Sequence, residues 1–156
     1  MNGLYIGILT VIIISGFCVL FFYLKKAKAD IQRKINQRYL GQNIILREDF
    51  ANFFGKESLK SRQIRGNGVL VLTKEEIYFS MLMPRKEVIV TLDSIQDIET
   101  PTSFLGKTKF KPLLKINFKT GREIRDSAAW LVRDVKQWKT EIQKRTKKNK
   151  KEVFSR

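Results

Sequence analysis

The chain has no histidine at all and a single cysteine, Cys18, in 156 residues. Without imidazole it lacks the commonest general base, the commonest metal ligand and every triad built on histidine. One cysteine excludes an intramolecular disulfide and a cysteine-rich zinc site. No S-x-x-K motif is present for serine–lysine chemistry, and no paired-carboxylate signature stands out. These absences argue against an enzyme and against a metal or other cofactor. Acidic residues are also scarce, 15 against 31 basic ones, for a net charge of +16. That excess points to an anionic surface, either a membrane or a nucleic acid.

Charge is missing altogether from residues 1–24. Leu4 to Leu24 reads LYIGILTVIIISGFCVLFFYL, which at about 1.5 Å per residue makes a helix of roughly 30 Å, the thickness of a bilayer's hydrocarbon core. Thr10 and Ser15 can bond back to their own helix, and Tyr5 and Tyr23 stand near its ends, where amphipathic rings favour the interface. A cleaved signal peptide would carry basic residues before a shorter apolar core. Here Lys25, Lys26 and Lys28 follow the run instead. A buried core helix rarely stays apolar on all faces for so long. The expectation is a single-pass anchor with its amino terminus outside and the basic side in the cytoplasm, by the positive-inside rule.

Residues 25–42 (KKAKADIQRKINQRYLGQ) lack proline, and Ile31, Ile35 and Tyr39 recur every four residues. This basic juxtamembrane stalk reads as a helix, either a solvated continuation of the anchor or one that rests on an anionic leaflet or pairs with its own copy.

From residue 43 the pattern breaks into short segments. Residues 47–54 (REDFANFF) place Phe50, Phe53 and Phe54 on one side of a helical turn, with Glu48 and Asp49 at its start and Gly55 after it. Strands are expected at Val69–Thr73, around Ile77–Met81, around Val88–Leu92 and over Leu114–Phe118, whose alternation is the clearest in the chain. Thr120-Gly121 turns into Arg122–Asp126, with Ile124 facing inward. Ser127 caps a helix expected to reach residue 146, with Leu131, Val135, Trp138 and Ile142 on one stripe. Trp130, about 100° round from that stripe, is expected at the rim. The spacing suggests an α+β domain: a small antiparallel barrel or sandwich closed by a carboxyl-terminal helix.

Several strands closed by one amphipathic helix with a core tryptophan resemble the pleckstrin-homology-like superfold. The stretch RGNGVLVLT–KEEIYFS–KEVIVTLDSIQDIE is similar to its GRAM-type and bacterial membrane-associated branch: a glycine-led strand, a strand with the pair Tyr78-Phe79, then a strand ending near Leu92–Ile95. The resemblance covers residues 43–146 and implies a non-catalytic platform for lipids, peptides or partner proteins. It also implies that a basic cluster between the first two strands, here Lys56, Lys60, Arg62 and Arg65, would meet an anionic lipid. Four segments result: an anchor (1–24), a stalk (25–42), a PH-like domain (43–146) and a basic tail (147–156).

Three further features bear on chemistry. Gly106-Lys107-Thr108 mimics the end of a phosphate-binding P-loop, but Pro101 occupies the first glycine's place and a strand follows where a helix is required. Asp93, Asp97 and Glu99 read as exposed acids around a turn rather than a metal site. The segment PTSFLGKTKFKP (101–112) combines Lys107, Lys109 and Lys111 with Phe104 and Phe110. It can dock an anionic bilayer, or it can bury both rings beneath itself, the more usual fate of loop aromatics. The tail adds Lys144, Arg145, Lys147, Lys148, Lys150 and Lys151, each worth about 1 kcal/mol beside an anionic leaflet. It either orients the domain at that leaflet or forms a disordered solubilising end.

The functional expectation is therefore a membrane-anchored adaptor or scaffold for a protein partner or anionic lipid. Nucleic-acid binding is the alternative. It rests on net charge, with no stacking platform or recognised motif to support it.

Overall fold

The computed structural model describes residues 2–60, 63–121 and 124–154, and divides into two compact units, Met1–Arg38 and Tyr39–Arg156. The first unit is one helix, α1 (Asn2–Arg38), which is long and apolar enough to cross a membrane. It runs without interruption from the apolar segment through the lysines of the stalk. Thr10 donates its hydroxyl proton to the Ile6 carbonyl at 2.8 Å and Ser15 to that of Ile12 at 3.0 Å. Both polar groups are thereby satisfied within the helix, as an apolar environment demands.

The second unit is built on antiparallel strands: β1 (Leu46–Lys56), β2 (Gly66–Leu72), β3 (Glu76–Met81), β4 (Glu87–Thr91), β5 (Ile95–Glu99), the short hairpin strands β6 (Ser103–Phe104) and β7 (Lys107–Thr108), then β8 (Leu114–Lys119) and β9 (Arg125–Leu131), followed by helix α2 (Val135–Phe154). Seven strands form one sheet in the order β4-β3-β2-β1-β9-β8-β5, and β6 and β7 pair with each other. The architecture is α+β as expected, but the sheet does not close into a barrel. Its two edges, β4 and β5, are consecutive along the chain, separated only by a 3-10 turn at Leu92–Ser94. That turn and α2 fill the place of the missing ladder. Leu92 and Ile95 join Trp138 and Ile142 of α2 in the same buried cluster, so side-chain packing replaces backbone hydrogen bonds at the seam.

The centre of that cluster is aromatic. Phe53 stacks on Phe79 with ring centroids 5.3 Å apart, and Trp130 is 5.6 Å from Phe53 and 6.2 Å from Phe79. All three are fully buried, each contributing roughly 1.5–3 kcal/mol from apolar burial. Trp130 thus lies in the middle of the core and not at its rim, because residues 125–131 are a strand. β9 pairs with β1 and β8, placing Trp130 opposite Phe53 and Leu114. The helix begins later than Ser127. Its first turn is capped by Asp134, whose carboxylate accepts the Gln137 N–H at 2.9 Å. Ser127 is buried within β9, Leu131 belongs to a satellite cluster, and Ile124 is exposed instead of facing inward. Of the expected stripe, Trp138 and Ile142 are buried and Val135 packs beside them. The backbone of α2 continues as a helix through residue 154.

The 47–54 segment is also a strand and not a helical turn. Two irregularities explain the misleading pattern. Between Glu48 and Ala51 the register against β2 shifts, and between Phe53 and Gly55 the register against β9 shifts. The first bulge moves the core-facing parity from Glu48 to Ala51 and Phe53, leaving Phe50 exposed. Phe54, the residue after Phe53, faces the other side of the sheet, in a small cluster with Phe104, Leu113 and Ala129, and the second shift falls at its position.

Candidate functional site

That satellite cluster roots the 101–112 segment. Phe104 is buried in it, and the Leu113 N–H closes the base by donating to the Pro101 carbonyl at 2.8 Å. Above this root, Ser103 pairs with Thr108 and Phe104 with Lys107. The turn between them, Leu105-Gly106, has positive φ at both residues, 50° and 73°, as a two-residue I′ hairpin turn requires. Lys115 places its ammonium 6.0 Å from the Phe104 ring, adding a cation–π contact at the base.

The hairpin faces the start of β2 across a cleft of about 240 Å³ lined by Asn52, Phe53, Phe54, Arg65, Gly66, Lys107, Thr108 and Lys109. Three of those side chains are cationic and none is a carboxylate. Arg65 spans the cleft to donate from Nη2 to the Leu105 carbonyl at 3.3 Å. Its Nε is buried and has no hydrogen-bond acceptor among the described residues. A guanidinium and two ammonium groups lining one cleft suit an anionic oxygen, which they can meet with charge-assisted hydrogen bonds. The cleft lies where the β1–β2 ladder stops, at the pair Phe53 and Gly66, the first residue of β2.

Past that point β1 is continued by a side chain. Gln63 accepts the Lys56 N–H at 2.7 Å through Oε1 and donates from Nε2 to the Lys56 carbonyl at 2.8 Å, imitating a strand partner. Gly55, at φ 131°, lies beneath that amide, and a Cβ there would come within 2.8 Å of it. The connection that follows is pinned to β9. Asp126 accepts from the Ser58 N–H at 3.0 Å, from the Ser58 hydroxyl at 2.8 Å and from the Ser127 N–H at 2.9 Å, with the Lys56 ammonium 2.9 Å away. Burial pushes the Asp126 carboxyl upward, but Lys56, Ser58 and Ser127 together outweigh it and hold it below the ordinary carboxylate range.

The expected site residues therefore separate. Arg65, Lys107 and Lys109 converge on one cleft. Lys56 is occupied by Asp126 and lies 5.5 Å from the Phe118 ring, a structural role. Lys60 is exposed at the end of a 3-10 turn (Glu57–Leu59), with φ 48°, and Arg62 lies outside the described residues. Phe104 is core, while Lys111 is exposed further along the loop. On α2, Arg145 is paired with Glu141, and Lys144 and Lys147 are exposed. The side chains of Lys148, Lys150 and Lys151 lie outside the described residues. Phe110, in contrast to Phe104, is not packed beneath the loop: it is 89% exposed. Asn52 and Thr108 were not legible as site residues, because a bulged strand and a two-residue strand bring them there. Of the acids, Glu99 is engaged by Asn117 and by Lys115, at 3.2 Å from the latter, and these bonds hold its carboxyl below the ordinary range.

No protein-family model and no curated protein matches the chain. A solved structure, the C-terminal domain of an unknown protein from Leishmania infantum, is similar in fold with a TM-score of 0.54 at 14% identity, over 76% of this chain and 96% of that one. At that identity the likeness concerns the fold alone.

Proposed function

We propose that the chain is a single-pass, membrane-anchored binding module of pleckstrin-homology-like architecture, with its amino terminus outside and its basic domain in the cytoplasm. On this reading it is a non-catalytic adaptor or sensor, whose cleft at Arg65, Lys107 and Lys109 receives an anionic group carried by a lipid or a protein partner. The apolar length of α1 and the lysines immediately after it support the anchoring and its direction. An open seven-stranded antiparallel sheet whose consecutive edges are sealed by a carboxyl-terminal helix supports the architecture.

The observation that carries the binding role is the convergence of Arg65, Lys107 and Lys109 on one cleft whose lining holds no carboxylate. A cation set of this kind attracts an anion through charge-assisted hydrogen bonds. Tethering concentrates the module against anything on the same surface, so weak affinity suffices. Nucleic-acid binding, the alternative, rests mainly on net charge, and Phe53, Phe79 and Trp130 are consumed by the core.

The test is a titration of the full chain in neutral-lipid nanodiscs with inorganic phosphate, followed at the Arg65 side-chain ¹⁵Nε resonance. A saturable shift that disappears in Lys107→Ala/Lys109→Ala is expected. A resonance indifferent to phosphate would refute the anion site.

A further inference from the structure

The two phenylalanines of the 101–112 segment have opposite environments. Phe104 is buried in the satellite cluster, whereas Phe110 is 89% exposed, six residues later in the same loop. The exposure is held in place by the backbone. Phe110 has φ 54°, a left-handed conformation unfavourable for a side chain of this size. Its N–H donates to the Thr108 hydroxyl oxygen at 3.0 Å, and that hydroxyl donates in turn to the Thr102 carbonyl at 2.7 Å. Thr108 thus ties the strained residue to the hairpin that lines the cleft. A strained backbone is retained where neighbouring structure over-determines it, and such sites are often functional. Here the strain presents an aromatic ring to solvent between Lys109 and Lys111, in a segment with no acidic residue.

From this we infer that the loop is a bilayer-contact element: Phe110 enters the interfacial region of the membrane while Arg65, Lys107 and Lys109 take the phosphate of an anionic lipid. The inference rests on the cleft being an anion site, and adds the source of the anion. A ring flanked by ammonium groups suits a leaflet whose headgroups are negative and whose acyl boundary is apolar. An acidic peptide would use the cations and leave the ring in water, so charge and apolar surface together favour lipid.

The experiment uses the full chain with Phe110→Trp in nanodiscs containing bromolipid, with and without phosphatidylserine. Trp130 and Trp138 are buried, and the parent chain measures their background. With phosphatidylserine present, emission from the introduced indole is expected to shift to the blue and to lose about half its intensity to the bromines, as a ring placed at the acyl boundary would. The effect should fade as salt is raised and vanish when Lys107→Ala/Lys109→Ala is added. Solvent-like, unquenched emission at every phosphatidylserine content would overturn the bilayer contact. In that case the inorganic phosphate titration separates the two readings. A saturable Arg65 shift would keep the anion site with a soluble or protein-borne ligand, and its absence would remove both.

Discussion

Gly55 and Asp126 show how much single residues decide at the start of the β1–β2 connection. A Cβ at Gly55 would press on the Gln63 amide at 2.8 Å, on a backbone at φ 131° that L side chains rarely adopt. Gly55→Ala is expected to destabilise the domain by about 1–3 kcal/mol, read as a lower midpoint in urea, and to free the Gln63 amide from Lys56. Asp126 gives the fold a pH dependence of known sign. Its folded pKa lies below the unfolded value, so its contribution is complete above the unfolded carboxylate range and is lost as pH falls below about 4. Asp126→Asn should therefore cost stability at neutral pH and flatten the acid limb of a stability–pH curve. A variant with an unchanged acid limb would show that the Lys56–Asp126–Ser58 arrangement contributes nothing to folding. Glu99 shifts in the same direction, but it is half-exposed and solvent screens it.

Among the elements, α2 is the one that closes the sheet without a ladder. Trp138 and Ile142 are its contribution to the core, against Leu92 and Ile95 at the seam. Trp138→Ala should cost about 3–5 kcal/mol. It should also raise hydrogen exchange at β4 and β5 more than at β1 and β9, because the edges depend on the helix and the centre does not. Asp134→Ala removes the cap from the same helix and should cost about 1 kcal/mol, measurable by thermal unfolding. Strand β1 shows why element type was hard to read. Its Phe50, Phe53 and Phe54 have helical spacing, yet a register shift and the alternation of the strand send them to solvent, to the main core and to the satellite cluster respectively. Bulges cost parity, and parity is what a period-two reading depends on.

At the scale of the whole molecule, the proposed anchoring rests on the apolar part of α1 and the charge that follows it. The chain is expected to remain with membranes through alkaline extraction, and deletion of residues 2–24 should release it. With Cys18→Ser as background, Asn2→Cys should react with an impermeant maleimide applied outside cells, and Lys147→Cys should react only after permeabilisation. The reverse pattern would overturn the proposed cytoplasmic placement of the domain. The prediction follows from the positive-inside rule, since Lys25, Lys26 and Lys28 lie within the distance over which flanking charge acts.

The uncharged run, the basic flank and the strands from β2 to β4 and at β8 are properties of local composition and period, so the sequence alone determined them. The alternating Leu114, Ile116 and Phe118 fall in the core as their spacing requires. Other features needed the tertiary structure. Ser127 has the chemistry of a helix cap, yet pairing with β1 and β8 extends β9 through Leu131 and moves the cap to Asp134. Trp130 is carried from an expected rim to the centre by that same pairing. The cleft unites Arg65 with Lys107 and Lys109, some forty residues apart in sequence, through a bulge and a hairpin turn whose geometry depends on contacts distant along the chain. Phe104 and Phe110 are indistinguishable as letters in one basic loop. Only the satellite cluster, which has room for the first, and the strained backbone at the second decide which ring is buried and which is presented.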